Sequence, residues 1–70
     1  MELPIHTEFI KLQQALKLAG LIGTGSDVKS LLAEKLVKVN GEIATERGKK
    51  LRPGDVVECY GEFFTVVAEE

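Results

Sequence analysis

The sequence has few of the side chains on which enzymes and metal proteins depend. Its 70 residues contain no tryptophan, one histidine and one cysteine. A single thiol cannot form an internal disulfide, and one histidine with one cysteine is too few for a protein zinc site. These shortages exclude a fold that depends on disulfide bonds or zinc, and no acid–base pair or activated nucleophile is visible.

Long apolar stretches and targeting signals are also missing. No apolar run approaches the ~20 residues of a membrane span. The first four residues, Met-Glu-Leu-Pro, carry no basic region and no signal-peptide pattern. We therefore expect a cytoplasmic protein with no membrane partner. A length of 70 residues and a hydrophobic content of 44% predict one domain, over residues 1–70, with a thin core.

Three features that could suggest chemistry have simpler explanations. His6 lies in a predicted flexible lead-in of residues 1–7, where a solvated histidine is commoner than a base or a ligand. Cys59 lies among apolar residues with no basic neighbour in sequence, which indicates an inert buried thiol. Residues 20–25 are glycine-rich but lack the Gly-Lys-Ser/Thr ending of a phosphate-binding loop. We therefore expect no enzyme, no catalytic residue, no metal, no cofactor and no small-molecule substrate.

Charge is distributed unevenly along the chain. The net charge of −2 and the pI near 5.4 argue against a nucleic-acid-binding protein. However, all nine basic residues but only four of the eleven acids lie between Lys11 and Arg52, which gives this window a net charge of +5. A local cationic region can attract a polyanion although the whole chain is acidic. The alternative, a chance clustering of charges on a soluble domain, stays open from charge alone.

The spacing of apolar residues predicts two short helices. The first spans residues 12–19 and ends at Gly20, a typical residue for a helix C-terminus. The second spans residues 27–34, with Ser26 as its N-cap.

Alternation and turn residues predict strands on both sides of two tight turns. Residues 36–39 alternate as a half-buried strand does, and Asn40-Gly41 is the strongest short hairpin signal. Pro53-Gly54 predicts a type II turn. Residues 56–60 and 63–67 form a predicted terminal hairpin. Residues 8–10 are predicted as a short edge strand, although the first turn of a helix fits their spacing equally well.

These features together resemble a known RNA-binding module. Gly20, Ser26, Leu31-Leu32, the run Val-Lys-Val-Asn-Gly at 37–41 and the run Leu-Arg-Pro-Gly-Asp at 51–55 look like the S-four-type domain, also called the alpha-L motif. The two runs in succession are fairly specific, whereas either alone is weak. The short chain most resembles the stand-alone bacterial members, of the YaaA and YbcJ type.

The resemblance covers about residues 11–58 and implies a fold and a function. The implied fold is a small α+β domain, with two short helices packed on one side of a twisted, mostly antiparallel sheet of four or five strands. The implied function is binding of structured RNA, with ribosomal RNA or ribosome-held tRNA as the partner. The protein would then be a small monomeric, non-catalytic accessory factor in ribosome assembly or translation.

The resemblance also implies which residues contact RNA. Basic side chains and an exposed helix N-terminus both suit phosphate binding. The candidate RNA-binding residues are Lys11, Thr24, Gly25, Ser26, Lys29, Lys38, Asn40, Arg47, Lys49, Lys50 and Arg52. Three positions depart from the usual pattern: Gln13 replaces aspartate, Asp27 replaces arginine, and Lys35 replaces glycine. In related domains that glycine caps the helix with a left-handed backbone, so lysine there implies either a strain of about 1 kcal/mol or a differently shaped helix exit.

Two other functions remain possible. One is a protein–protein adaptor that kept the fold and lost RNA binding, which Asp27 and the acidic net charge favour. The other is a subunit of an RNA-modifying enzyme, which the missing acid–base pair disfavours. No aromatic residue follows Phe9 within the basic window, so we expect recognition of RNA by shape and backbone and not by base stacking.

Overall fold

The computed structural model describes residues 1–22 and 25–69, without the side chains of residues 25–27. Within these ranges two helices and seven strands are formed. In chain order they are β1 (Glu2–Ile5), β2 (Ile10–Lys11), α1 (Leu12–Leu18), α2 (Gly25–Ala33), β3 (Val37–Val39), β4 (Glu42–Ile43), β5 (Lys50–Leu51), β6 (Val56–Cys59) and β7 (Glu62–Ala68).

Five of these strands form one mixed sheet. Their order is β1-β7-β6-β3-β4, and only the pairing of β1 with β7 is parallel. Strands β2 and β5 form a separate antiparallel pair. The predicted α+β fold, with two helices on a mostly antiparallel sheet of four or five strands, is therefore confirmed.

The core lies between the helices and one face of the large sheet. Alternate residues of the strands point inward, as the two-residue period of a strand requires. The fully or almost fully buried side chains come from both helices and the central strands, and include Leu12, Leu16, Val28, Leu31, Val37, Val57, Cys59, Phe64 and Val66. The intervening residues of β3, β6 and β7 point to the opposite face, which we call the outer sheet face.

Helix α1 ends in a Schellman motif, in which the backbone turns left-handed directly after the helix. Gly20 has a φ of 77°. Its N–H donates to the Lys17 carbonyl at 3.1 Å, and the Leu21 N–H donates to the Leu16 carbonyl at 3.0 Å. The predicted helix stop at Gly20 is confirmed.

Helix α2 ends in the same motif with a lysine in place of glycine. Lys35 has a φ of 60°. Its N–H donates to the Leu32 carbonyl at 3.1 Å, and the Leu36 N–H donates to the Leu31 carbonyl at 2.9 Å. Lys35 therefore occupies the left-handed position that the resemblance implies, where a side chain with a Cβ is strained, and the alternative of a differently shaped helix exit is not observed.

Replacing Lys35 by glycine is expected to raise the free energy of unfolding by up to about 1 kcal/mol, because glycine adopts this backbone conformation without strain. Urea unfolding of the variant and the parent measures the difference. The matched control is Lys29→Gly, at an exposed position inside α2, which should lose about 1 kcal/mol. A loss of stability in Lys35→Gly would contradict the argument.

The two predicted turns are present. Asn40 and Gly41 have φ values of 53° and 84°, as a type I′ hairpin requires. Gly54 has a φ of 102°, and the Asp55 N–H donates to the Arg52 carbonyl at 3.0 Å, which closes a type II turn. The terminal hairpin turns one residue earlier than predicted, at Tyr60 (φ 55°) and Gly61 (φ 76°).

The first residues do not form the predicted irregular lead-in. Residues 2–5 are β1, which pairs in parallel with β7. The carbonyls of Met1 and Ile5 accept hydrogen bonds from Thr65 and Glu69 at 3.0 and 2.8 Å. The backbone groups of a strand face its neighbour at every second residue, and here those of residues 1 and 5 face β7. The nitrogen of Pro4 therefore faces away from β7, where no N–H donor is needed. Because β1 is an edge strand, proline does not interrupt it.

Two further boundaries differ from the predictions. Helix α2 begins at Gly25, so Ser26 lies in its first turn and is not its N-cap. The expected strand at residues 8–10 is the shorter pair Ile10–Lys11, which is bonded to β5. Both shifts are small because helix ends and short strands depend on tertiary partners more than on local sequence.

Candidate nucleic-acid interface

The basic loop at residues 46–50 is attached to the start of α1 by main-chain hydrogen bonds. The Leu12 N–H donates to the Lys49 carbonyl at 2.8 Å, and the Gln13 N–H donates to the Arg47 carbonyl at 3.0 Å. The first N–H groups of a helix have no partner within the helix, and here the loop carbonyls supply one. The loop side chains are exposed beside α1 as a consequence.

Two lysines face each other next to this loop. In the β2–β5 pair, Lys11 lies directly opposite Lys50, and Ile10 lies opposite the buried Leu51. Directly opposed residues of an antiparallel pair are on the same face of the ladder, and like charges there repel each other. An anion placed between or above the two ammonium groups would relieve this repulsion.

A groove joins helix α2 to the same loop. It has a volume of about 560 Å³, and its lining includes Lys29 of α2 together with Thr45, Glu46, Arg47 and Gly48 of the loop. We use the name basic cluster for the five exposed residues that the loop, the β2–β5 pair and α2 bring to this region: Lys11, Lys29, Arg47, Lys49 and Lys50.

No residue of the basic cluster forms a salt bridge with a described acidic side chain; the one contact of this kind among the described side chains, between His6 and Glu69, joins the chain ends. Two acids are nevertheless nearby, since Glu46 lines the groove beside Lys29 and Arg47, and Glu42 and Glu46 line a depression with Lys49. The five basic residues outnumber these two acids. The cluster therefore keeps a positive charge, which attracts phosphate groups and releases counterions when they bind.

Lys38 does not belong to this cluster. Val37 and Val39 on either side of it are buried in the core, so Lys38 points to the outer sheet face, away from the helices. There it lies across from Glu58 on β6 and Ile43 on β4. Arg52 is exposed in the type II turn after β5. Of the seven predicted basic residues, five therefore form the basic cluster, Lys38 lies apart on the outer sheet face, and Arg52 lies in the turn that follows β5.

The side chain of Asn40 is engaged within the protein. Its Oδ1 accepts a hydrogen bond from the Val56 N–H at 2.9 Å, and its Nδ2 donates to the Asp55 carboxylate at 3.2 Å. The other oxygen of Asp55 accepts from the Arg52 N–H at 2.8 Å. Asn40 thus connects the hairpin at 40–41 to the turn at 52–55, a structural role that the sequence analysis did not assign to it.

The remaining predicted residues lie near the start of α2. Gly25 and Ser26 are in its first turn, and Lys29 follows on the exposed surface. Thr24 lies outside the described residues, and the side chain of Asp27 is not described. The structure therefore places the α2 start next to the groove through Lys29 alone.

One neighbour of the cluster was missed by the sequence analysis. The Lys50 ammonium lies 4.9 Å from the ring centroid of the half-buried Phe9, a cation–π contact. The two residues are far apart in sequence, and only the pairing of β2 with β5 brings them together. No local pattern could have revealed this contact.

Comparison with known proteins shows the family of the chain. The family model described as S4 domain matches residues 3–67, which is nearly the whole chain. The chain belongs to the S4 domain family. It is also similar to the probable ribosome maturation protein RlbA of Bacillus subtilis (strain 168), with 51% identity over 57 residues, 81% of this chain and 80% of that protein.

The predicted resemblance to the S-four-type RNA-binding domain is thus confirmed. The match extends beyond the predicted core of residues 11–58 at both ends, in agreement with the participation of β1 and β7 in the main sheet of this S4 domain.

Outside the basic cluster, the described residues include one free thiol. Cys59 is a buried free thiol, and burial raises its pKa, which disfavours the reactive thiolate. In the described part of this S4 domain, no three residues among His, Cys, Asp and Glu are grouped to hold a metal ion. None of the described helices has the length and apolar character to span a membrane.

Proposed function

We propose that this S4 domain binds structured RNA through the basic cluster, and that ribosomal RNA or ribosome-held tRNA is the RNA concerned. The observation that carries the proposal is the convergence of Lys11, Lys29, Arg47, Lys49 and Lys50 from separate segments, none of which forms a salt bridge with a described acidic side chain. The similar protein of Bacillus subtilis is named a probable ribosome maturation protein, which supports a role at the ribosome.

The chemistry of the cluster fits recognition of folded RNA. Lysine and arginine side chains contact phosphates, which supplies affinity and orientation without reading the base sequence. Double-stranded RNA is recognised mainly by its shape and backbone. The protein we propose is a monomeric, cytoplasmic, non-catalytic accessory factor that positions itself on folded RNA during ribosome assembly or translation.

The contribution of the cluster is tested by comparing two single substitutions that remove one positive charge each. Lys29→Gln, within the cluster, is expected to weaken binding to a structured RNA and to reduce the salt slope of log K by roughly 0.7 to 0.9. Lys38→Gln, on the outer sheet face, should leave both nearly unchanged. Fluorescence anisotropy over a series of salt concentrations measures both quantities.

The effect of Lys29→Gln should be similar for RNAs of different sequence and equal fold, because a phosphate contact carries no base information. If the two variants behave alike while both remain folded, Lys29 is not part of the binding surface and the cluster is wrongly assigned.

A second function, a protein–protein adaptor, has one observation in its favour. Phe63 and Ile43 are 58% and 48% exposed on the outer sheet face, on the opposite side of the sheet from the helices. Exposed apolar side chains of this size are common at protein interfaces. The adaptor function predicts no binding to any structured RNA even at low salt, which is the result that would replace RNA binding.

A further inference from the structure

A second cavity lies between the chain segment 4–10 and helix α1. Its volume is about 510 Å³, within the range typical of small-ligand sites. Phe9, Ile10 and Leu18 supply apolar walls, and Thr7, Gln14 and Lys17 supply polar groups. Leu18 is 66% exposed although it is a leucine at the end of a helix that otherwise buries its apolar residues, so part of the apolar wall faces solvent.

The cavity adjoins the basic cluster through one contact. Phe9 lines the cavity, and the ammonium group of Lys50 lies 4.9 Å from the centroid of its ring. Lys17 contributes a second ammonium group to the lining. His6, which also lines the cavity, contacts the carboxylate of the exposed Glu69. Two ammonium groups, one in the lining and one beside it, suit a ligand that carries phosphate.

The polar groups fit the edge of a nucleobase. The Oε1 atom of Gln14 accepts the Lys11 N–H at 3.3 Å, which holds the side chain at the start of α1. The Nε2 group of the same amide carries two donors, and a nucleobase presents acceptors along its edges. The cavity thus combines an aromatic ring, a side-chain amide and nearby ammonium groups. This combination suits a nucleobase with its adjoining phosphates. An apolar side chain of a peptide would fit the cavity less well, because it has no negative charge for the ammonium groups to bind.

We propose that this cavity receives one unpaired base of the bound RNA, which packs on Phe9 while Lys17 and Lys50 contact the phosphates on either side of it. This inference rests on the proposed RNA binding and names a specificity site within it. It departs from the expectation that RNA is recognised without base stacking. Single-stranded loops and bulges are where proteins read RNA bases, because such bases can leave the helix and pack on aromatic side chains.

The test uses three RNA hairpins of the same stem: one fully paired, one with a single bulged adenosine, and one with an abasic nucleotide at the bulge. The abasic RNA keeps the backbone and removes only the base. The parent protein is expected to bind the adenosine bulge about tenfold tighter than the abasic bulge, in the range measured for one stacked base.

Phe9→Leu should bind the two bulged RNAs equally and should keep the salt slope of the parent, because a stacking contact releases no counterion. The matched control is Phe63→Leu, the same change on the outer sheet face, which should retain the preference.

Since Phe9 is half-buried, Leu18→Glu provides a second variant at an exposed position of the cavity, with Leu36→Glu as its control outside it. Leu18→Glu should also lose the preference.

The possible failures are distinguishable. If the parent binds all three hairpins equally, RNA binding stands and the base site is overturned. If Phe9→Leu and Leu18→Glu both fold and keep the preference, the base is bound elsewhere and the assignment of this cavity is overturned. If no hairpin binds even at low salt, the proposed function itself fails and the base site fails with it.

Discussion

Replacing Asn40 by alanine is expected to lower the free energy of unfolding by about 2 to 3 kcal/mol, a large part of the total for a domain of this size. Three losses combine. The Val56 N–H loses its acceptor and the Asp55 carboxylate loses one donor; each bond contributes about 0.5 to 1.5 kcal/mol. Alanine at a φ of 53° adds strain of about 1 kcal/mol, because only glycine and asparagine adopt this region readily.

Asn40→Gly separates the two effects in the same measurement. Glycine adopts the left-handed backbone without strain but makes neither side-chain hydrogen bond. We therefore expect urea unfolding to place Asn40→Gly between the parent and Asn40→Ala. If Asn40→Gly were as stable as the parent, the hydrogen bonds to Val56 and Asp55 would contribute nothing, and asparagine would be needed here for its backbone conformation alone.

The connection through Asn40 shows what the sequence could predict and what it could not. Both turns were predicted, because Asn-Gly and Pro-Gly have strong local preferences for the left-handed conformations that Gly41 and Gly54 adopt. The bond between them joins residues 15 positions apart. Its existence depends on the pairing of β3 with β6, which places Val39 opposite Val57 and is fixed by the core.

The strands that were missed, β1 and β5, and the strand whose bounds were shifted, β2, are those without a local pattern. Strand β1 contains Pro4, whose effect depends on whether its strand is central or at an edge, and this is a property of the whole sheet. Strands β2 and β5 have two residues each, which is too short to display an alternation. Their register is nevertheless important, since it brings Lys11 to Lys50 and Phe9 to the basic cluster.

The candidate interface was predicted as a set of residue types and not as a surface. Composition alone showed a basic window, but it could not distinguish Lys29 from Lys38, which are both exposed. The fold separates them, because the strand period directs Lys38 to the outer sheet face while α2 presents Lys29 to the groove beside Arg47. The contribution of each remains a prediction until binding is measured.

The acidic net charge of the chain is compatible with this arrangement. At an ionic strength near 0.15 M, charges separated by more than about 8 Å are largely screened. The charges nearest to a bound phosphate therefore dominate, and at Arg47 and Lys49 these are the basic cluster with Glu42 and Glu46, whereas Glu58 points to the outer sheet face. At low salt the screening length grows, and the distant acids should then oppose the approach of RNA more strongly.

Replacing Arg47, Lys49 and Lys50 together by glutamine is expected to have the largest effect on RNA binding. Removal of three phosphate contacts should reduce the salt slope of log K by about 2 to 3. The fold should be preserved, because the loop is attached to α1 through the carbonyls of residues 47 and 49, which glutamine retains. Fluorescence anisotropy with a structured RNA between low and physiological salt measures the slope, and urea unfolding verifies the fold.

The control for this triple variant is the pair Lys35→Gln and Lys38→Gln, which removes positive charge outside the basic cluster. If binding depends only on total charge, the loss of affinity per removed charge will be the same in both variants. If it depends on the surface formed around the start of α1, the loss per charge will be several times larger for the triple variant. Equal losses per charge would mean that the RNA is attracted by the whole domain and that the basic cluster is not a binding site.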